Sequence, residues 1–407
     1  MALCLILALD CSAGGSAPLD PVKVFASCRA GFRISVVGGW LLTEPSLGGT
    51  VFPSRTSGPV SSRDITRMIR IYFPRTFEGL ADYDFILLAS VDMVFFTNKQ
   101  AIWMYRAIDE AGLGGLNTRS VQSMSSAWAG PWVSSPLSGV FPNDAEAVVN
   151  SGDYQTERFA DGPIIVNDEP GTPPILTPFK GAIENRIFVH GVVTEPRPGS
   201  TVYSWVRSGL MQRGDRPGYI AHLFSWEYRN ATTFTAMDMV CEEFWRGGDN
   251  PYSLDIASNL IWYSTGRDLP EDALMVHALR DLFREFQFRK STLISMFDFA
   301  ENFGANTGSI YSDLEVVVQA KSRADQDYLR GDFERSYGEM KDILEGIERL
   351  EVEAVELKNS ALAWVFLIEW LSVSAALLVS GLTIWQLMIR RTIYREISIT
   401  RLSEVKG

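Results

Sequence analysis

Residues 370–389 (WLSVSAALLVSGLTIWQLMI) run for twenty positions without a charge and are closed by Arg390 and Arg391. Any fold for this chain must accommodate that run. A bilayer's hydrocarbon core is about 30 Å thick and is crossed by roughly 20 apolar residues at about 1.5 Å rise each, so the run predicts a membrane-spanning helix. A buried core helix of a soluble protein fits less well, because such helices seldom stay uncharged this long and then end in paired arginines. Trp364, Trp370 and Trp385 flank or punctuate the run, as amphipathic rings do at headgroup level. Arg390, Arg391, Arg395 and Arg401 crowd the short tail that follows. The positive-inside rule therefore predicts a cytoplasmic tail over 391–407 and an extracytoplasmic remainder.

The other end of the chain partly agrees. Residues 2–9 (ALCLILAL) are apolar, and small residues follow over 12–17. This is the pattern of a secretory signal peptide cut near Ala17, although no Lys or Arg precedes the run. Asp10 stands where a lipobox before Cys11 would need a small residue. The expected organisation is a signal peptide over 1–17, a lead-in over 18–30 and a globular domain over 31–290. A helical hairpin or stalk over 291–360, a transmembrane helix over 361–390 and a cytoplasmic tail complete it.

Hydrophobic content of 46%, with 12% aromatics, argues for a packed core in the globular part. A formal charge of −12 speaks against nucleic acid as a partner, since phosphate binding needs a basic face. Of four cysteines, Cys4 and Cys11 fall in the signal segment. Cys28 and Cys241 remain, either as one long-range disulfide or as two separate thiols. Asn230-Ala231-Thr232 is a glycosylation sequon in the stretch expected outside the membrane.

Hydrophobic patterning predicts an α/β fold. Residues 33–37 (RISVV), ended by Gly38-Gly39, read as a first buried strand. Residues 84–90 (DFILLAS) form the clearest strand, a continuous apolar run such as a parallel sheet buries on both faces. Helical spacing covers 61–71 and 98–111, the latter capped by Gly112, and 113–116 leads into Asn117. Strand, helix and strand at this spacing imply a βαβ unit. The Pro- and Gly-rich middle, 128–217, reads as an irregular β-rich section lying against the sheet, with β-like runs at 187–193 and 201–206. A further strand is expected at 219–224, and helices at 250–263 and 271–288. From Ile310 onward two helical stretches, 310–329 and 332–358, are parted by Arg330-Gly331. The second carries Phe333, Tyr337, Met340, Leu344, Ile347 and Ala354 at spacings that suggest a coiled-coil-like seam. Nine carboxylates face four basic residues between Arg330 and Glu356, so its other faces are solvated.

Several segments, taken in order, resemble the glutamine amidotransferase-like proteins of the class I amidotransferase and ThuA-like group. They are RISVVGG at 33–39, YDFILLASVD at 83–92, GGLNTRS at 114–120 and AWAGPWVSSPLSGVFP at 127–142. GYIAHLFSW at 218–226 and FWRGGDNPYSLDIASNLIWYSTGRDLP at 244–270 continue the series. The resemblance implies a Rossmann- or flavodoxin-like parallel sheet with a nucleophile elbow just after 113–116. A true amidotransferase presents Cys there, with His and Glu completing a triad. This chain has Asn117, Thr118, Arg119 and Ser120 instead, and no cysteine within eighty residues.

Other chemistry is sparse. Ser120 lacks a G-x-S-x-G frame. His190, His222 and His277 share no metal-ligand spacing, so neither a metal nor a cofactor is expected. His222 is the best placed of the three, near a strand end with Glu227 shortly after it. Asp92 lies just past the clearest strand, where open α/β sheets contact ligands, although a capping role explains it as well. Asp92, Asn117, Arg119, Ser120, His222 and Glu227 thus form the candidate pocket. The expected function is a membrane-anchored binding or scaffold module that lacks the catalytic cysteine. The rivals are a structural subunit docking on other membrane or envelope proteins through residues 310–390, and a surface hydrolase using Asp92, Ser120 or His222.

Overall fold

The computed structural model describes residues 19–29, 32–55, 60–118, 132, 134–143, 159–193, 195–207, 218–240 and 243–404. The chain divides into two compact units. One comprises Met1–Arg284 with Ser322–Met340, the other Glu285–Lys321 with Lys341–Gly407.

The first unit is built on a nine-stranded sheet: β1 (Val22–Arg29), β2 (Leu47–Arg55), β3 (Phe85–Ala89), β4 (Gly114–Thr118), β5 (Phe159–Val166), β6 (Phe188–Val192), β7 (Thr201–Arg207), β8 (Tyr219–Tyr228) and β9 (Ala231–Ala236). The order across the sheet is β2-β1-β3-β4-β9-β8-β7-β5-β6. From β2 to β9 every pairing is parallel, and from β9 to β6 every pairing is antiparallel. The sheet is therefore mixed, and the expected parallel sheet accounts for only half of it. The β-rich middle does not lie against the sheet. It extends it, because the free edge of β9 is taken by β8 through a two-residue turn at Arg229-Asn230, with Arg229 at φ +53°.

Two expectations for the N-terminal region are corrected. The stretch read as a lead-in contains β1, a strand flanked by both β2 and β3. Lys23 and Ser27 interrupt its apolar run, which hid the pattern. Val22, Val24, Ala26 and Cys28 nevertheless fill one core while Phe25 fills the other. RISVVGG, read as a strand, instead lies in helix α1 (Phe32–Thr43). A parallel β1–β2 pair needs a crossover, and here the need for one outweighs β-branched propensity. Val37 and Trp40, three apart, turn into the first core.

Helices cover both faces. On one, α1 and α6 (Ser253–Ser264) pack over β1, β3 and β4; on the other lie α2 (Ser62–Tyr72), α3 (Phe77–Ala81) and α4 (Asn98–Asp109). Local signals fix the helix starts. Ser61 with Asp64 and Thr97 with Gln100 form capping boxes at α2 and α4. With both faces covered, β3 is buried at all five positions, as its continuous apolar run requires. A single-turn helix, α5 (Lys180–Ile183), joins the β-rich half.

The longer helices are α7 (Ala273–Asn302), α8 (Gly308–Leu329) and α9 (Phe333–Glu404). Helix α7 extends well beyond the end expected at 288. Gly331, at φ +82°, makes the α8–α9 turn where the sequence placed it. Within the second unit, Ile343, Ile347, Leu350 and Ala354 of α9 are buried, together with Leu293, Phe297, Ile310 and Leu314. Glu351 of α9 accepts from Arg289 of α7 at 3.0 Å. Of the six residues read as a seam, Met340, Ile347 and Ala354 are buried, while Phe333, Tyr337 and Leu344 are half-buried. Helix α9 then continues unbroken through 72 residues, and its apolar window has a mean hydropathy of 2.1 with none of it buried. It is long and apolar enough to cross a membrane.

Phe25 tests the reassignment of the lead-in. Its ring lies 5.0 Å from Phe52 and 5.3 Å from both Phe73 and Tyr83. Phe25→Ala should lower unfolding free energy by about 3–5 kcal/mol in urea denaturation, as deletion of a core aromatic does; an irregular lead-in would tolerate the change.

Candidate functional site at the carboxyl ends of the parallel strands

Open α/β sheets hold ligands outside the carboxyl ends of their strands, at the point where strand order reverses. Here that point lies between β1 and β3, since β1 is flanked by β2 on one side and β3 on the other. The register aligns Phe52, Ser27, Leu88, Asn117 and Thr235 in one row across β2, β1, β3, β4 and β9. Paired residues share a face of the sheet. Leu88 and Phe52 belong to the core beneath α2 and α4, so the whole row faces that side. Over it lies the segment 134–143, tied down by Thr233 Oγ1 donating to the Val140 carbonyl at 2.7 Å and Thr235 Oγ1 to Asn143 Oδ1 at 3.3 Å.

Ser27 and Asn117 of this row, and Ser90, Thr118 and Asn143 beside its end, carry unspent hydrogen-bonding capacity. Among the described residues, Ser27 Oγ, Ser90 Oγ, Asn117 Nδ2 and Asn143 Nδ2 are buried without a hydrogen-bond partner. Each such group costs roughly 1–3 kcal/mol relative to a satisfied one. Ser90, immediately beyond β3, sits in the left-handed region at φ +56°, held there by its N–H donating to the Thr118 carbonyl at 3.0 Å. Non-glycine residues in that region concentrate at functional sites.

The four candidate residues that fall among the described ones do not converge. Asn117 belongs to the row. Asp92 is half-buried, and its Oδ1 accepts from Val94 N–H at 3.1 Å, which makes it the cap of a short 3-10 turn over Met93–Phe95. Arg119 and Ser120 lie outside the described residues. Glu227 is exposed on β8. His222 is fully buried on β8, with β9 between its strand and β4. Asn230 is exposed in the β8–β9 turn, a position compatible with its sequon. Cys28 is buried on β1, whereas Cys241 lies outside the described residues.

His222 has a different setting from the strand end foreseen. The β7–β8 register passes from Ser204↔Leu223 to Trp205↔Ala221, so His222 is the extra residue of a bulge, which re-aims its ring. Its Nδ1 is 2.8 Å from Ser204 Oγ and its Nε2 3.0 Å from Asp238 Oδ1, which also accepts from Trp245 Nε1 at 3.0 Å. Serine, histidine and carboxylate are thus linked as in a hydrolase triad but with the ring nitrogens exchanged, the serine on Nδ1 and the carboxylate on Nε2. All three side chains are at 0% exposure, however, and Phe244 closes edge-on over the imidazole at 4.7 Å. The chain ties β7 and β8 to the segment after β9, and no substrate reaches Ser204. Neither Ser204 nor Asp238 carries a motif from which this pairing could be read; a bulge leaves no trace in residue order.

A second buried constellation lies beneath α1 and α6. Arg280 of α7, 1% exposed, donates through Nε to Glu44 and through Nη1 to Asp255 Oδ1 at 2.9 Å; its Nε also meets Tyr328 Oη at 3.1 Å. Burial alone would depress the guanidinium's pKa, but Glu44, Tyr328 and Asp255 outweigh it and raise it. Asp255 Oδ2 is 2.7 Å from His277 Nδ1, and Asp281 is 3.5 Å from His277 Nε2. Burial pushes Asp255 upward, yet the His277 hydrogen bond and the Arg280 charge bring it below its ordinary 3.8. The bond to Asp255 lifts His277 above 6.5 against the opposing effect of burial.

Trp262, Tyr328 and Phe333, with Leu19 and the loop 266–271, line a cavity of about 500 Å³ near this network. Among the described residues, no group of three His, Cys, Asp or Glu side chains is arranged to hold a metal ion.

No protein-family model matches the chain, and no curated protein does. Among solved structures, the chain is similar to the cytoplasmic protein STM1381 from Salmonella typhimurium LT2, at 14% identity and a TM-score of 0.40. The match covers 60% of this chain and 97% of that one. A likeness this loose carries neither fold nor activity over.

The titration of the second constellation has a defined sign. His277, raised on folding, contributes stability fully below pH 6.5 and loses it as pH climbs through the folded value. Asp255, lowered on folding, contributes above pH 3.8 and loses it on acidification. Thermal unfolding across pH should show stability declining as pH rises above 6.5, and His277→Gln should flatten that decline while leaving the acid limb in place.

Proposed function

We infer that this chain is a membrane-anchored protein whose α/β unit is a non-catalytic binding module, held outside the cytoplasm by the apolar stretch of α9. The observation that carries the reading is the burial of the Ser204–His222–Asp238 chain. It is the one set of described side chains with the chemistry of a nucleophile, a base and an orienting carboxylate, and substrate has no access to it. Asn117 at the end of β4 adds to this, because an amidotransferase would carry its cysteine in that neighbourhood. The amidotransferase-like, flavodoxin-like assignment draws support from the parallel half of the sheet, whose order β2-β1-β3-β4-β9 follows the flavodoxin pattern with β9 as its fifth strand. The anchor rests on the unburied apolar window of α9, and its orientation on the arginines that follow.

Two measurements test this. Purified full-length protein should neither release ammonia from glutamine nor react with a fluorophosphonate probe. Labelling or turnover that disappears in Ser204→Ala or Cys241→Ala would establish an enzyme instead. In intact cells, an impermeant maleimide should label Asn306→Cys above the background of the parent chain and reach Ser403→Cys only after permeabilisation. The reverse pattern would invert the orientation.

A further inference from the structure

We propose that the cavity bordered by the loop 266–271 binds a zwitterionic amino acid with an aromatic side chain. The inference rests on the reading of this unit as a binding module and names what it binds. At about 500 Å³ the cavity falls within the usual range for small-molecule sites. Every residue lining it belongs to the first compact unit. Its apolar wall is aromatic. The Trp262 and Phe333 rings lie nearly parallel, 15° apart with centroids at 6.5 Å, and Tyr328 meets Phe333 edge-on at 5.2 Å. Trp262 is fixed by its Nε1 donating to Ser46 Oγ at 2.8 Å, and the Tyr328 hydroxyl is held by Arg280 Nε at 3.1 Å. The polar tips of this panel are thus already spent, and its apolar surface is set in place for a flat ring before any ligand arrives.

The loop supplies both signs of charge. Arg267 is half-buried, and burial holds its guanidinium below the ordinary 12.5; Asp84, Asp20 and Glu44 oppose this only at longer range. Its Nη2 donates to the Asp20 carbonyl, and among the described residues no carboxylate is paired with it. The rest of the guanidinium fork remains for a ligand, and its planar geometry suits a carboxylate. Asp268 and Glu271 line the same cavity, are exposed, and have no cationic partner among the described residues. Arg330, also at the wall, is committed to Asp327 at 3.0 Å. A simple anion would meet Arg267 but face the two acids, and a simple cation would meet the acids but face Arg267. A ligand carrying carboxylate and ammonium on one carbon satisfies both, and a ring on its side chain covers the aromatic wall.

The test uses the full chain in nanodiscs of zwitterionic lipid and equilibrium dialysis of L-phenylalanine. Three relatives serve as probes of its parts: 3-phenylpropanoate lacks the amine, phenethylamine the carboxylate and alanine the ring. Saturable binding of phenylalanine is expected, tighter than that of any of the three by about tenfold or more. Arg267→Gln should weaken phenylalanine and 3-phenylpropanoate by about tenfold or more, as loss of a charge-assisted hydrogen bond does, without weakening phenethylamine. A merely structural role for Arg267 would weaken all three alike. Should that variant fold poorly, the exposed pair Asp268→Asn/Glu271→Gln gives the mirror image, weakening phenylalanine and phenethylamine but not 3-phenylpropanoate. No saturable binding of phenylalanine, or binding that neither variant alters, would overturn the site while leaving the binding-module reading intact. Conversion of phenylalanine to a new product, followed by mass spectrometry, would overturn that reading as well, because the site would then be catalytic.

Discussion

Arg280 holds the α/β unit together through one buried charge. Its guanidinium, 1% exposed, meets carboxylates from two elements far apart in sequence: Glu44 after α1 and Asp255 in α6. The Tyr328 hydroxyl at the end of α8 and the Trp262 ring, 5.2 Å from the guanidinium carbon, complete the shell. Such an arrangement contributes little net energy compared with an apolar core of equal volume, but removing one partner costs roughly 3–5 kcal/mol because the other charge is left uncompensated. Its value is specificity. Glu44 also accepts from the Ser46 hydroxyl, which in turn accepts from Trp262 Nε1, so the start of β2 is fixed relative to α6 by the same network. The start of β2, and with it the β1–β2 pairing that begins at Val22↔Leu47, is thus held by the same polar contacts.

The two buried polar chains differ in what they leave unsatisfied. Around Arg280, acid and base neutralise one another and most polar atoms are paired. His222 likewise has both ring nitrogens occupied, by Ser204 and Asp238. The carboxyl ends of the parallel strands are the contrary case, with Ser27 Oγ, Ser90 Oγ, Asn117 Nδ2 and Thr118 Oγ1 buried there without a hydrogen-bond partner.

Legibility from sequence followed the strength of local signals. Strand β3 was readable because a strand covered on both faces must be apolar throughout, and α4 because its capping box and Gly112 bracket a 3.6-residue period. The α8–α9 turn announced itself through Gly331. Strand β1 was not readable, since Lys23 and Ser27 break its run, and α1 was misread because its β-branched residues favour a strand when taken alone. Both errors have one origin: the crossover between parallel strands is a tertiary requirement, and no window of ten residues contains it. The candidate site was half legible. Asn117 and Asp92 follow from their places at strand ends, but Ser27 was lost with its strand, Asn143 reaches the row from a distant segment, and the bulge that turns His222 inward cannot be inferred from residue order.

The sheet order carries a kinetic consequence. Strand β4 ends at Thr118, but its parallel neighbour β9 begins only at Ala231. Until that later stretch has left the ribosome, one edge of β4 has no partner. Closing so long a loop is slow, and an unpaired strand edge invites association with other chains. The most vulnerable moment in the life of this protein is therefore the interval of synthesis between those two strands.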